Sequence, residues 1–457
     1  EFLQLIAYFT VIVIVTGFLM TEKLPNYINK LIVTASLLFM PCFMAILNSQ
    51  EEIGGIVNSY AKVTSIGSGY VTVSAAQAAQ FHPDDYVLLI QMQGVGIQTI
   101  QGSYGVNVQS VYGTPGGYEF LKVLSVNYGT GRIDFTRNVF LNTYDIASNV
   151  QIVKVPFYSS PTVTSFLSGQ AWNSASGTGG VIAIMAARKL TLAADIDATG
   201  LGFRGAAGVF GIGQCVYTNI PANSLDSYPE TYNNAGLKGE GVAIHDLSKA
   251  LLFPNHAKGQ GRNFTGGGGG NGWFPGGGGG SNRGKGGDGG LEKFVFGLCG
   301  NDPHEGGYGG MNILGTIIQN GIFQGGGGGA STQANGSTAS AGGHGGGIVI
   351  IIADTIDGNN HFIRANGNTA ANSVSDAGAG GGGGGGSVAV SLRNFSGQLQ
   401  LSANGGNGGT NAGGFGYGGG GGGGLIWING STMPSMITGA TVQHGTLDPT
   451  TPSEGIG

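Results

Sequence analysis

Between Ile56 and Thr164, hydrophobic residues gather in short β-branched or aromatic runs bounded by turn signals. The runs are VTVS (Val71 to Ser74), YVLLIQMQ (Tyr86 to Gln93), YEFLKVLSV (Tyr118 to Val126), RIDFT (Arg132 to Thr136) and VQIVKVPFY (Val150 to Tyr158). Gly-Ser-Gly, Pro-Asp-Asp, Pro-Gly-Gly and Gly-Thr-Gly separate them, a pattern of strands and tight turns. It predicts an N-terminal β domain, sandwich-like or barrel-like, over residues 51–165.

Farther along, four segments share one pattern. They are GGVIAIMAARKLTLAADIDATG from Gly179, GGIVIIIADTIDGNNHFIRANG from Gly346, GGSVAVSLRNFSGQLQLSANGG from Gly385 and GGLIWINGSTMPSMITGATVQHG from Gly423. Each opens on two glycines, runs into an apolar strand, turns, and forms a second strand. Repeated strand-turn-strand units predict a parallel β-solenoid, in which each coil buries its inward face only by stacking on the next. Ile348, Ile350 and Ile352 alternate with Val349 and Ile351, so both faces are apolar, as in parallel sheets covered on both sides. The chain is therefore expected to be all-β, with a first coil over 166–215, a glycine-rich insertion over 216–344 and further coils over 345–457. A stacked β-sandwich with polyglycine-II layers is the alternative architecture.

Composition sharpens this reading. Of 457 residues 94 are glycine and 9% are charged, while hydrophobic residues reach 40% and the net charge is only −5. Collagen is excluded because no Gly-X-Y period runs through the chain, and plain disorder fits poorly with so apolar a composition. No Lys/Arg cluster is present to bind phosphates, which argues against a nucleic-acid partner. Glycine runs at Gly266–Gly270, Gly276–Gly280, Gly325–Gly329, Gly380–Gly386 and Gly418–Gly424 lie between the apolar segments. They are expected either to pack as layers of extended polyproline-II-type helices, where the missing Cβ permits close approach, or to form mobile surface loops.

The N-terminus carries two apolar stretches, Phe2 to Met20 and Leu31 to Leu47, around Lys23 and Lys30. Residues 20–50 read as a secretory signal with a basic n-region, an apolar h-region and a small polar segment, leaving 1–19 upstream of the mature protein. The alternative is a helical hairpin anchor. Either way the membrane is met only through this segment, and the rest is expected outside the cytoplasm. Pro41 argues against a lipoprotein anchor at Cys42. Cys215 and Cys299 are expected either to form one disulfide, contributing about 4 kcal/mol by chain entropy, or to stay separate buried thiols.

Candidate chemistry is sparse. Asp195 and Asp197 flank Ile196 and would share a strand face, where paired carboxylates bind calcium or cleave polysaccharide; a solvated edge beside a turn is the competing interpretation. GKGGDGG (Gly284 to Gly290) is a single copy of a calcium-repeat-like pattern and cannot complete an oxygen shell alone. No histidine pair has zinc-ligand spacing, and no glycine loop has the ending of a phosphate cradle, so no cofactor is expected. Trp273, Phe274, Tyr308, Phe415 and Tyr417 lie inside glycine tracts, where rings either plug a glycine layer or stack on sugar; Trp273 and Tyr308 are the candidate ligand contacts.

Several blocks, QAWNSASGTGGVIAIMAARKLTLAADIDATGLGFRGA (Gln170 to Ala206), LKGEGVA (Leu237 to Ala243), IFQGGGGGA (Ile322 to Ala330) and GGGIVIIIADTI (Gly345 to Ile356), have a familiar form. Together with VQIVKVPFY and GGGGGGSVAV (Gly381 to Val390), they resemble the glycine-rich adhesin-like surface proteins of Bacteroidota, substrates of type IX secretion, some linked to gliding. The resemblance implies export through outer-membrane secretion machinery, a cell-surface or extracellular location, and a C-terminal sorting domain beyond TPSEGIG. It brings no catalytic residue. The expected function is a non-enzymatic adhesive or structural surface protein, whose partners are surface glycans or other cells. The alternatives are an extracellular polysaccharide-cleaving β-helix enzyme and a carbohydrate-binding module.

Overall fold

Both faces of the apolar strands are covered, and this sets the layering of the molecule. A computed structural model describes residues 51–100, 102–208, 226–244, 256–272, 274–291, 306–332, 340–373, 377–411 and 416–430, with the backbone of 437–441. The chain begins with β1 (Glu52–Ile56), β2 (Tyr60–Lys62), β3 (Ser65–Gly67), β4 (Tyr70–Thr72), a one-turn helix α1 (Ala75–Ala78), β5 (Tyr86–Gln91), β6 (Val95–Ile97) and β7 (Val108–Val111). Then come β8 (Tyr118–Asn127), β9 (Arg132–Phe135), β10 (Val150–Val155), β11 (Phe157–Tyr158), β12 (Thr162–Ser168), β13 (Val181–Leu192) and β14 (Ile196–Asp197). The last group is β15 (Ile348–Asp357), β16 (Phe362–Arg364), β17 (Ser387–Ser391), β18 (Asn394–Ser396), β19 (Leu399–Ser402), β20 (Leu425–Asn429) and β21 (Ile437–Thr441).

An antiparallel sheet in the order β2-β10-β5-β8-β9-β4-β3 makes the N-terminal layer. Its strand β5 shows how alternation is used. Val87 and Leu89 point into this layer's own core with Phe81, Ile133 and Ile152. Leu88 and Ile90 point the other way, against Val181, Ala183, Ile348 and Ile350 of the second sheet. One strand thus serves two cores, which explains why its sequence is apolar without interruption.

The second sheet is a parallel β-solenoid, in the order β20-β17-β15-β13-β12-β14-β16-β19-β21, and its named pairings are all parallel. Parallel pairing throughout sets the stacked-sandwich alternative aside. Coils superpose residue on residue. Ile184, Ile351, Val390 and Ile428 make one column on the first strands. Leu167, Ile196, Ile363 and Leu401 make the matching column on the second strands. These two columns face each other in one buried cluster, so each coil covers apolar surface that its neighbour exposes. β1 joins this sheet through β12, and so the solenoid draws on residues upstream of the N-terminal layer.

Glycine supplies the remaining side of each coil. Gly325 and Gly328 donate to the carbonyls of Gly346 and Gly343; Gly326 and Gly329 to Ser281 and Gly278; Gly327 and Ala330 to Glu240 and Leu237. The next tract repeats the rule. Gly381 and Gly384 donate to Gly329 and Gly326, Gly382 and Gly385 to Gly419 and Gly422, Gly383 and Gly386 to Asn368 and Ala365. Every third amide reaches the same neighbour, as a three-residue-per-turn extended helix requires when it is surrounded on several sides.

Such spacing leaves no room for a side chain. A Cβ on Gly328 would lie 2.0 Å from the Gly381 oxygen, and one on Gly326 would lie 1.9 Å from the Thr265 oxygen. Ordering each glycine costs on the order of 1–2 kcal/mol, and an orphaned buried amide would cost about 1–3 kcal/mol more. The tracts 325–330 and 381–386 are therefore sustained by backbone pairing at every amide together with close packing. The described tracts are buried and packed, and not surface loops.

Candidate functional site

The paired carboxylates singled out by sequence lie where the second strands of successive coils stack. Ile196 points inward in its column, and Asp195 and Asp197 flank it on the outer side. Arg364, from the next coil, places Nη1 2.8 Å from Asp195 Oδ2 and 3.5 Å from Asp197 Oδ2. Asp195 Oδ1 accepts from the Phe362 amide at 3.0 Å and lies 3.0 Å from His361 Nδ1. Asp197 Oδ1 accepts from the Thr199 amide at 2.7 Å. Burial works to raise the Asp195 pKa, but the Phe362 amide, His361 and Arg364 outweigh it and hold the carboxyl below its ordinary value. A carboxylate so held does not carry the proton a general acid must deliver.

Aromatic residues of the glycine tracts divide into described and undescribed. Tyr308 is half-buried; its hydroxyl accepts from Gln260 Nε2 at 3.3 Å, and the Arg262 guanidinium lies 5.0 Å from its ring. Phe274 is buried. The backbone carbonyls of both accept from glycine amides, Gly268 bonding to Tyr308 and Gly416 to Phe274. Trp273 and Phe415 lie outside the described residues, as do Cys215, Cys299 and the whole N-terminal segment of 1–50. GKGGDGG is a bundle member: Gly284, Gly287 and Gly290 donate to Gly423, Gly420 and Tyr417, and Asp288 Oδ1 accepts from the Gly309 amide at 2.7 Å.

Two groupings were not visible in the sequence. The first is a buried polar cluster on the Leu237 to Ala243 block. Lys238 is 5% exposed, its Nζ has no hydrogen-bond partner, and it sits 3.6 Å from the centre of the Tyr104 ring. Burial pushes the amine well below the ordinary lysine value against the opposing pull of Asp226. Beside it Ser227 Oγ is hydrogen-bonded with His256 Nδ1. Burial and Lys238 hold His256 below the usual imidazole value.

The second grouping is a groove at the rim of the last described coil. On the first strands, Ala183, Ile350 and Ala389 form a column that the N-terminal layer and its neighbours cover, and Trp427 continues it. Where that cover ends, the indole is left 47% exposed. A groove of about 600 Å³ opens there, between Trp427, Ile426 and Leu425 on one side and Tyr118, Leu314 and Asn320 on the other. Arg283 also lines it, with Nη2 donating to the Gly321 carbonyl at 2.8 Å and Nη1 donating to that of Gln319. A second hollow of about 380 Å³ adjoins the groove through Tyr118, Asn320 and Gly321. The only sequence signal was a tryptophan inside an otherwise aliphatic strand.

No known protein family matches the chain, and no curated protein does. Among solved structures it is similar, at 12% identity and a TM-score of 0.14, to the Gp54 tailspike of Acinetobacter baumannii bacteriophage AP22 in complex with A. baumannii capsular saccharide. The match covers 86% of this chain and 56% of that one, so this chain spans little more than half of the tailspike's length. A score of that size does not establish a shared fold.

Proposed function

We propose that this protein is a non-enzymatic, exported surface protein of adhesive or structural type, a rigid glycine-packed scaffold that meets glycans at its rim. The observation that carries the reading is the threefold pairing of glycine tracts against the solenoid. It occupies the backbone donors and leaves no room for side chains at the glycines of the described tracts. Ligand contact is then left to the edge, where Trp427 and Tyr118 offer ring faces beside the Asn320 amide, the mixture of apolar platform and polar fixing groups that sugar recognition uses. Asp195 and Asp197, the carboxylates a polysaccharide-cleaving enzyme would need, are tied to Arg364. Export and outer-membrane secretion rest on the N-terminal pattern and on the resemblance to Bacteroidota adhesin-like proteins.

The test is a glycan array run in parallel with a polysaccharide-cleavage screen. Binding without turnover, lost on Trp427→Ala, supports the proposal; turnover abolished by Asp195→Ala would defeat it. Protease shaving of intact producing cells tests the location, since a surface protein is digested from outside.

One observation favours a second reading, a hydrolase built on Ser227 and His256, because a hydroxyl bonded to an imidazole is the beginning of a nucleophile-base pair. Labelling by a fluorophosphonate, lost on Ser227→Ala, would establish that reading over the first.

A further inference from the structure

We propose that the groove beside Trp427 takes an acidic saccharide, its carboxylate meeting Arg283 while Trp427 and Tyr118 flank a sugar ring. This rests on the glycan-contact reading above and names the ligand class. Arg283 is the only cationic or acidic side chain among the described residues lining the groove and its adjoining hollow. Among the described residues no carboxylate is seen to act on its guanidinium, which burial alone pulls below the ordinary arginine value. A half-buried guanidinium without an anion is unfavourable, and an incoming carboxylate removes that penalty.

The cation is also held in place. Its two carbonyl bonds, to Gln319 and Gly321, orient the planar group, and with Nε enclosed one N–H on each Nη is left for a ligand. The preceding residue, Asn282, is fully buried, and its Nδ2 lies 3.2, 3.0 and 3.1 Å from the carbonyls of Phe323, Gly385 and Gly386. A fork anchored in this way is preorganised for a planar anion. With a net charge of −5 the chain as a whole repels polyanions, so an acidic polymer would be drawn to a local site and not to the surface at large.

The experiment titrates the full chain with short uronic-acid oligomers, with dextran oligomers of equal length and with sulfated dextran, by calorimetry at two salt concentrations. The expected result is uronate binding at least about tenfold tighter than neutral dextran and tighter than sulfated dextran, weakened by salt. Trp427→Ala should weaken it about tenfold, the size of one lost ring platform. Arg283→Gln should reduce uronate affinity to the dextran level. Arg283→Lys, which keeps the charge and loses the fork, should fall between, and it serves if the glutamine variant fails to fold. Equal affinity for uronate and dextran, or preference for the sulfated polymer, would overturn this inference and leave the glycan-contact reading standing, whereas uronate binding untouched by Trp427→Ala would overturn both. Failure to bind any saccharide would overturn both.

Discussion

Arg364 Nη1 lies 2.8 Å from Asp195 Oδ2, although 169 positions separate the two residues along the chain. Stacking of β16 on β14 brings them together. An acidic pair that looks available for chemistry in the sequence is part of a ladder between coils in the fold. Asp195→Asn should destabilise the protein by about 1–2 kcal/mol, a modest figure because the pair is partly exposed. The lowered Asp195 pKa sets the pH window. Its contribution is fully present above the usual carboxylate range and is lost as pH falls through the lowered value. Urea unfolding of parent and variant from pH 7 down to pH 2 should therefore give curves that converge at the acid end.

Substitutions within the glycine bundle should differ sharply from those outside it. Gly328→Ala drives a methyl to 2.0 Å from the Gly381 carbonyl oxygen, a backbone atom with tracts packed behind it. It should cost about 3 kcal/mol. Gly129→Ala, whose nearest neighbour would be 3.5 Å away, should stay within about 0.5 kcal/mol of the parent. Thermal melts of the two variants check this, and equal effects would count against a packed bundle.

Lys238 leads to a prediction of opposite sign. A buried amine held below the ordinary lysine value lowers stability progressively as pH falls from that value toward the shifted one. The Tyr104 ring face and Asp226 favour the charged form, but loss of hydration is the larger effect at 5% exposure. Lys238→Met should stabilise the protein by about 1 kcal/mol at pH 7 and by less at pH 10. Chemical denaturation at the two pH values reads the difference.

Asn282 joins the glycine bundle to the covering layer by donating toward three carbonyls. Asn282→Ala removes the donor to the Gly385 carbonyl and leaves those of Phe323 and Gly386 only their bonds from Ser387 Oγ and the Leu425 amide, which should cost about 1–3 kcal/mol. The same variant should weaken saccharide binding, because Arg283 follows it in the chain. A melt combined with a binding titration tests both consequences.

Much of the architecture could be read from local pattern. Apolar runs such as Ile348 to Ile352, flanked by glycine pairs, announced strands covered on both faces, and repetition of the unit announced stacking. Between β16 and β19 paired residues stand 38 apart, and side chains just beyond them keep that offset: Asn366 Oδ1 accepts from the Asn404 amide at 2.8 Å and Asn372 Oδ1 from the Thr410 amide at 3.0 Å. A uniform glycine run, by contrast, has no marker for which of its amides faces which neighbour, so packed layers and loose loops could not be separated from sequence. The partners of Asp195, and the placing of Trp427 and Tyr118 on one groove, depend on contacts across very long stretches of chain. Local residue order does not encode those. The groove was missed because Trp427 reads as one more apolar strand position until the end of its covering layer is known.

Hydrogen exchange of the glycine amides at 325–329 and 381–386 tests the central claim most directly. Protection comparable to that of the β13 and β15 amides is the result expected for tracts bonded on every face. Exchange at the rate of an unstructured chain would contradict the bundle, and with it the account of the protein as a rigid scaffold.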